Sequence, residues 1–200
     1  MTAVVELAGT HCAGKTSVAR ALAERGFVLV GLDALVCRAG NPYARQRCIV
    51  RRFSLAYDEV ERLVAEDRDV VMDNSLLSVA AYNILFEVRD PLAPARLWTE
   101  RVARITGKYN VVWVTVVLRC DCEELRRRCR ERGRAGWEWE AETACHVDEI
   151  LGQLLGSRWV AGMLCPGGQE GAPAVVSVDT TARPPEAVAE TVLGILRGRW

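Results

Sequence analysis

The stretch "VVELAGTHCAGKTSVARAL", residues 4–22, constrains this chain more than any other. A run of apolar and β-branched residues leads into Gly9, Gly14, Lys15 and Thr16, and a helix-like segment follows at once. "GTHCAGKT" matches G-x-x-x-x-G-K-[ST] in full, with a strand before it and a helix after it, which is the context that gives the motif meaning. Gly9 and Gly14 permit tight, positive-φ turns that aim successive backbone N–H groups inward, and the helix start adds partial positive charge at the same spot. The expected phosphate cradle is Gly9, Thr10, His11, Cys12, Ala13, Gly14, Lys15, Thr16 and Ser17. Lys15 is placed to bridge the β- and γ-phosphates of ATP, and the Thr16 hydroxyl to bind Mg²⁺.

Further apolar runs follow at Phe27 to Val30, Val70 to Met72, Val111 to Leu118 and Ala174 to Val178. Helical patterns alternate with them at Lys15 to Arg25, Tyr57 to Asp67, Ser75 to Arg89, Ala95 to Thr106, Glu123 to Arg132, Glu142 to Leu155 and Pro185 to Arg197. That alternation predicts an α/β protein with a five-stranded parallel sheet. The 200 residues fit one domain, 1–200, with the Arg-dense segment at about 126–142 as a lid. "AGNP" within Arg38 to Tyr43 and "CPGGQEGAP" at Cys165 to Pro173 read as loops.

Basic and acidic residues balance at 26 each, so there is no net field to draw in nucleic acid polymers or anionic membranes. A small solute is the expected partner, and a homodimer stays open. Only Lys15 and Lys108 are lysines, so a sequence that nearly always writes Arg keeps Lys in the loop, where a compact charge can slide between phosphate oxygens. Eight cysteines lie scattered without a disulfide framework, and no leader-like or membrane-spanning apolar run is seen. Free thiols in a cytoplasmic protein are the expectation. A zinc site from Cys120, Cys122, Cys129, Cys145 and His146 fits no ligand spacing well.

"VVMDNSLLSVAAYN", residues 70–83, sets Asp73 at the carboxyl end of a buried strand, where ligands of open α/β sheets gather. A carboxylate there can hold Mg²⁺ or accept a proton. Ser75 is the expected cap of the helix that follows.

The spacing of Asp73, Ser78, Ala81, Tyr82 and Asn83 resembles the thymidylate kinase pattern D-R-Y-x-x-S-x-x-A-Y-Q, with Asn74 in place of the Arg. "LRCDCEELRRRCRERGR" is similar to that family's fourth strand and lid, and "VVSVDTTARPPEAVAETVLGIL" to its fifth strand and last helix. The resemblance implies the three-layer P-loop NTPase fold of nucleoside monophosphate kinases, with strand order 2-3-1-4-5, helices on both faces and an Arg-rich lid. It implies MgATP as donor, Arg128, Arg132 and Arg134 as lid residues touching ATP, and Thr180 and Thr181 near the adenine. Tyr82 and Asn74 would border the acceptor. Six arginines within Arg126 to Arg134 would repel one another without anions or acids nearby, a need that a triphosphate would meet.

A second likeness concerns the acceptor. "VGLDALV", residues 30–36, is similar to the segment after strand two in chloramphenicol phosphotransferase and related small-molecule kinases, which implies Asp33 as a base on an acceptor hydroxyl. An alcohol needs a proton acceptor as it attacks, whereas a phosphate is already ionised. The Arg-rich stretch between strands two and three, with Arg45, Arg47, Arg51, Arg52, Tyr43, Phe53 and Tyr57, is expected over the acceptor, and a monophosphate acceptor would require Arg38 or Arg45 to replace the lost phosphate contact. The reading is therefore a kinase moving the γ-phosphoryl group of MgATP to a hydroxyl of a nucleoside or specialised metabolite. Lys15, Asp33, Asp73, Arg128 and Arg132 carry the chemistry, and Thr16 and Asp73 hold the metal. A nucleoside monophosphate acceptor is the alternative, and a nucleotide-dependent switch binding a protein partner is the rival from another class.

Overall fold

The fold is described from a computed structural model, which covers residues 1–32, 42–156 and 173–198. Strands β1 (Thr2–Gly9), β2 (Val28–Val30), β3 (Val70–Met72), β4 (Val111–Arg119) and β5 (Ala174–Asp179) form one sheet. Its order is β2-β3-β1-β4-β5, and every pairing is parallel. This is the P-loop NTPase topology expected from the sequence. Helices α1 (Lys15–Ala23), α2 (Pro42–Ala65), α3 (Leu76–Leu85), α4 (Ala93–Lys108), α5 (Cys122–Arg132), α6 (Trp137–Gly156) and α7 (Pro185–Arg197) surround it.

Side chains alternate across a strand, so β1 feeds both faces of the sheet. Ala3, Val5 and Leu7 pack with Val18, Leu22, Val188 and Val192 of α1 and α7. Val4 and Ala8 join Phe53, Tyr57, Leu76, Trp98 and Val147 beneath α2, α3, α4 and α6. All eight residues of β1 are buried, as a central parallel strand requires.

One of those residues is a carboxylate. Glu6 is fully buried, and four donors converge on it: Tyr57 Oη at 2.7 Å, Trp98 Nε1 at 2.6 Å, Thr115 Oγ1 at 2.9 Å and Trp113 Nε1 at 3.3 Å. Burial raises its pKa, and the hydrogen bonds from Tyr57, Trp98 and Thr115 oppose the rise without cancelling it. The network ties β1, β4, α2 and α4 together three residues before the glycine that opens the loop.

Two elements differ from expectation. Helix α2 begins at Pro42, well before the expected Tyr57, because Ile49, Phe53, Ala56, Val60 and Val64 already repeat at helical spacing beneath the arginines. Phe53 and Tyr57 are consequently core residues, not acceptor contacts. The thiol expectation also fails in part: Cys122 and Cys145 form a disulfide between α5 and α6, and Cys48 is disulfide-bonded as well. Helix packing brings the Cα atoms of Cys122 and Cys145 to 5.2 Å, a proximity that sequence spacing does not encode. Cys12, Cys120 and Cys129 are free, and no cluster able to hold a metal through His, Cys, Asp or Glu occurs among the described residues. Among those residues no helix is long and apolar enough to cross a membrane.

Candidate active site

The loop from Gly9 to Gly14 joins β1 to α1 at the carboxyl edge of the sheet. Gly9 has φ 150°, and a Cβ there would stand 3.0 Å from the Leu118 carbonyl oxygen of the neighbouring strand. Gly14 has φ 94° and begins α1. Only glycine fits both demands without strain. Cys12 also adopts a left-handed conformation, φ 60°, although it carries a side chain.

Three side chains from other elements hold this loop in shape. Ser78 of α3 accepts the Gly9 N–H at 2.9 Å. The Tyr82 hydroxyl, one turn on, accepts the His11 N–H at 3.0 Å and shares a hydrogen bond of 3.2 Å with Thr10 Oγ1. Burial pushes the Tyr82 phenol up to about 12, so it stays protonated. Thr180, after β5, donates from Oγ1 to the Ala13 and Arg119 carbonyls at 3.3 and 3.0 Å. The serine and tyrosine of the thymidylate-kinase-like spacing thus brace the phosphate loop.

Lys15 is half-buried, and its Nζ donates to the carbonyls of Gly9 and Thr10 at 3.0 and 2.8 Å. Burial lowers its pKa to about 8, and the nearby Asp73 carboxylate opposes that shift. Asp73 follows β3 directly, and its Oδ1 accepts the Leu32 N–H at 2.8 Å. This bond ties the end of β2 to the end of β3 beside the loop. Asn74 Oδ1 accepts the Ser75 N–H at 2.9 Å, and Ser75 caps α3 through the Leu77 N–H at 3.1 Å, as expected.

A cleft of about 1980 Å³ opens above these residues, roughly twice the upper range of a single small-molecule site. The whole expected cradle from Gly9 to Ser17 lines it, and so do Asp73, Asn74 and Tyr82. Arg128, Arg132, Arg134 and Thr180 line it as well. Thr181 is not brought to the cleft, because its hydroxyl accepts the Asp121 N–H at 3.0 Å. Asp33 lies outside the described residues, and Arg45 falls within α2 where nothing is described of its side chain.

The arginines of the expected lid meet acids rather than needing a ligand to hold them together. Arg126 pairs with Glu142, Arg127 with Glu124 and Glu131, and Arg128 with Glu124 at 2.7 Å. Arg132 and Arg134 both approach Glu140, at 3.6 and 3.8 Å, and Arg130 lies over the Trp137 ring. Hydrogen bonds from Arg127 and Arg128 hold Glu124 down at about 2. The self-repulsion anticipated for this helix is relieved internally. Arg128 reaches farthest inward, donating from Nη2 to the Thr180 carbonyl at 2.6 Å and from Nη1 to that of Cys12 at 3.5 Å.

An aromatic file crosses the cleft from loop to lid: His11, Tyr82, Phe86 and Trp139, with successive ring centroids 5.0, 6.3 and 6.2 Å apart. Phe86 is 52% exposed and Trp139 65%, unusual for rings of this size. Neither residue was singled out from the sequence. The signal available was "WEWE" beside the Arg-rich segment, and only the approach of α3 to α6 turns it into a wall. Gly31, Leu32, Ile49, Val79 and Val88 complete this side of the cleft.

A family model described as an AAA domain matches residues 5–145. Deoxyadenosine kinase from M. mycoides, solved with bound dCTP, superposes with a TM-score of 0.57 at 14% identity, covering 98% of this chain and 99% of that one. Thymidylate kinase from Candida albicans gives 0.55 at 13% identity, covering 98% and 92%. Shikimate kinase from Acinetobacter baumannii, solved with shikimate, gives 0.51 at 18%, covering 99% and 94%. At these identities the likeness is one of fold. No curated protein matches the sequence.

Proposed function

The chain belongs to the AAA domain family, and from that premise we propose that it is an ATP-dependent phosphotransferase whose acceptor is a hydroxyl of a small, planar-faced molecule. The observation that carries this reading is the character of the cleft lining around the ends of β2 and β3 and along α3. Among the described residues, the lining drawn from positions 31–88 presents one carboxylate (Asp73), two amides (Asn74 and Asn83), two hydroxyls (Ser78 and Tyr82) and otherwise apolar or aromatic groups, with no Lys or Arg. A phosphorylated acceptor calls for cations there, and a hydroxyl acceptor calls for a base. The serine and tyrosine spacing does not argue for a monophosphate, since both residues serve the loop.

In this reading the loop N–H groups and Lys15 take charge developing on the β- and γ-phosphates. The Thr16 hydroxyl and the Asp73 carboxylate, hard oxygen donors on one cleft, suit Mg²⁺, which would neutralise phosphate charge. Asp33 comes three positions after the end of β2 in the sequence, and in this reading it accepts the hydroxyl proton. Arg128, Arg132 and Arg134 cover the transferring group and exclude water. Phe86 and Trp139 supply the face against which a flat acceptor packs.

The test is ADP release from MgATP with a panel of unphosphorylated nucleosides and hydroxylated metabolites set against nucleoside monophosphates. Stimulation by an unphosphorylated compound, abolished in Asp33→Asn while ATP binding persists, is expected. Stimulation by monophosphates alone overturns the hydroxyl reading in favour of a nucleotide kinase. Hydrolysis stimulated only by a protein partner overturns the phosphotransferase reading itself.

A further inference from the structure

The sulfur atoms of Cys12, in the phosphate loop, and Cys129, in α5, lie 2.7 Å apart, closer than unbonded sulfurs normally pack. They belong to segments separated by 117 positions. Cys129 is fully buried, whereas Cys12 is partly exposed on the cleft. A non-glycine residue at φ 60° bears a backbone cost, and here that conformation accompanies a side chain in contact with α5. Arg128, adjacent to Cys129, also touches the Cys12 carbonyl, so two consecutive residues of α5 rest on one residue of the loop. The helix is meanwhile tied to α6 by the Cys122–Cys145 disulfide.

We propose that Cys12 and Cys129 form a reversible disulfide that bolts the phosphate loop to the lid helix and lowers the affinity of the loop for nucleotide. The oxidant is a low-molecular-weight disulfide such as oxidised glutathione. The Cys12 thiolate attacks one sulfur of it, forming a mixed disulfide and releasing one glutathione thiolate. Cys129 then attacks Cys12 Sγ, forming the internal S–S bond and expelling the second glutathione, which carries away the Cys129 proton. Two protein thiols are oxidised and one glutathione disulfide is reduced to two thiols. The order follows from access: Cys12 is reachable, while burial pushes the Cys129 thiol up to about 12 and leaves it the resolving partner.

The effect on nucleotide follows from what the loop must do. Lys15 is held by two loop carbonyls and must leave them to reach a phosphate, while Arg128 must leave the Cys12 and Thr180 carbonyls. A covalent bond between Cys12 and α5 restrains both departures. The pairing stands on geometry alone, and its consequence for nucleotide rests on the function proposed above.

The full-length protein is equilibrated in mixtures of reduced and oxidised glutathione, remaining thiols are alkylated, and a non-reducing digest is mapped by mass spectrometry. A peptide linking residues 12 and 129 is expected, with Cys120 still alkylated. Oxidised protein should bind MgATP at least about tenfold more weakly by calorimetry, a loss of about 1.4 kcal/mol. Dithiothreitol should restore binding, and Cys129→Ser and Cys129→Ala should show no oxidation-dependent change although Cys122 and Cys145 are retained. Alkylated Cys12, or a glutathione adduct that persists at Cys12, overturns the pairing. A mapped crosslink with unchanged affinity overturns the switching. A protein whose reduced form binds no MgATP overturns the proposed function and the switch with it, while the digest still decides the pairing.

Discussion

Replacing Tyr82 by Phe removes one oxygen atom and leaves the ring, so its contacts with His11 and Phe86 survive. What disappears is the acceptor for the His11 N–H and the hydrogen bond shared with Thr10 Oγ1. A partly buried N–H left without a partner costs about 1–3 kcal/mol, and the lost bond to Thr10 adds on the order of 1 kcal/mol. Both bonds are only part-buried, so water recovers some of this, and a net of about 1–2 kcal/mol is the reasoned value. For a chain of this size that corresponds to a Tm lowered by roughly 2–8 °C. Because the two bonds shape the loop itself, the same change should weaken MgATP binding by a factor of about 5–30. Urea unfolding and calorimetry measure the two quantities separately. Lost stability with MgATP affinity unchanged within about twofold would refute the reasoning, since Tyr82 would then be packing rather than loop geometry.

Three further expectations follow from particular groups. Lys15, with its pKa lowered to about 8, is partly neutral above that pH, so MgATP binding near pH 9 should take up close to one proton and near pH 7 almost none. Calorimetry in buffers of different ionisation heat reads this directly, and equal uptake at both pH values contradicts it. Glu6 has a folded pKa raised above its unfolded one, so it contributes stability that is present below about pH 4.5 and lost as pH rises through the folded value. The stability advantage of wild type over Glu6→Gln should therefore shrink as pH rises from about 4.5 toward 7 in urea unfolding; a growing advantage refutes the raised pKa. Gly152→Ala sets a Cβ 2.5 Å from Arg119 Nη1, whose guanidinium is held by Asp148 at 2.7 Å. It should cost about 1–2 kcal/mol net, whereas in an Arg119→Met background the same change should stabilise α6 by up to about 1 kcal/mol, as helix propensity dictates. Stabilisation of wild type by Gly152→Ala would show that Arg119 moves aside freely.

Much of this molecule was written into local sequence. The glycine loop from Gly9 to Ser17, the five strands, the cap at Ser75 and the place of Asp73 all depend on residues close in the chain or on a periodicity readable along it, whereas the strand order was legible only through the likeness to thymidylate kinases. Hydrogen-bonding geometry and side-chain alternation act over two to four residues, so such features survive without knowledge of the rest. The start of α2 was misplaced because its arginines masked an apolar stripe at Ile49, Phe53, Ala56 and Val60.

Other features exist only because distant segments are packed together. Four donors meet at Glu6 from 51 to 109 residues away, and Ser78 and Tyr82 reach back about 70 residues to hold the loop. Trp139 becomes a cleft wall only beside Phe86, and Cys12 meets Cys129, as Cys122 meets Cys145, only through the seating of α5. A linear pattern reports which residue types are present and at what spacing. Which of them touch is settled by the burial of apolar faces on both sides of the sheet, a condition on the whole chain at once. Sequence alone therefore determined that a glycine loop of the G-x-x-x-x-G-K-[ST] pattern stands between β1 and α1 at Gly9 to Thr16, and tertiary packing decided what braces that loop and what faces it.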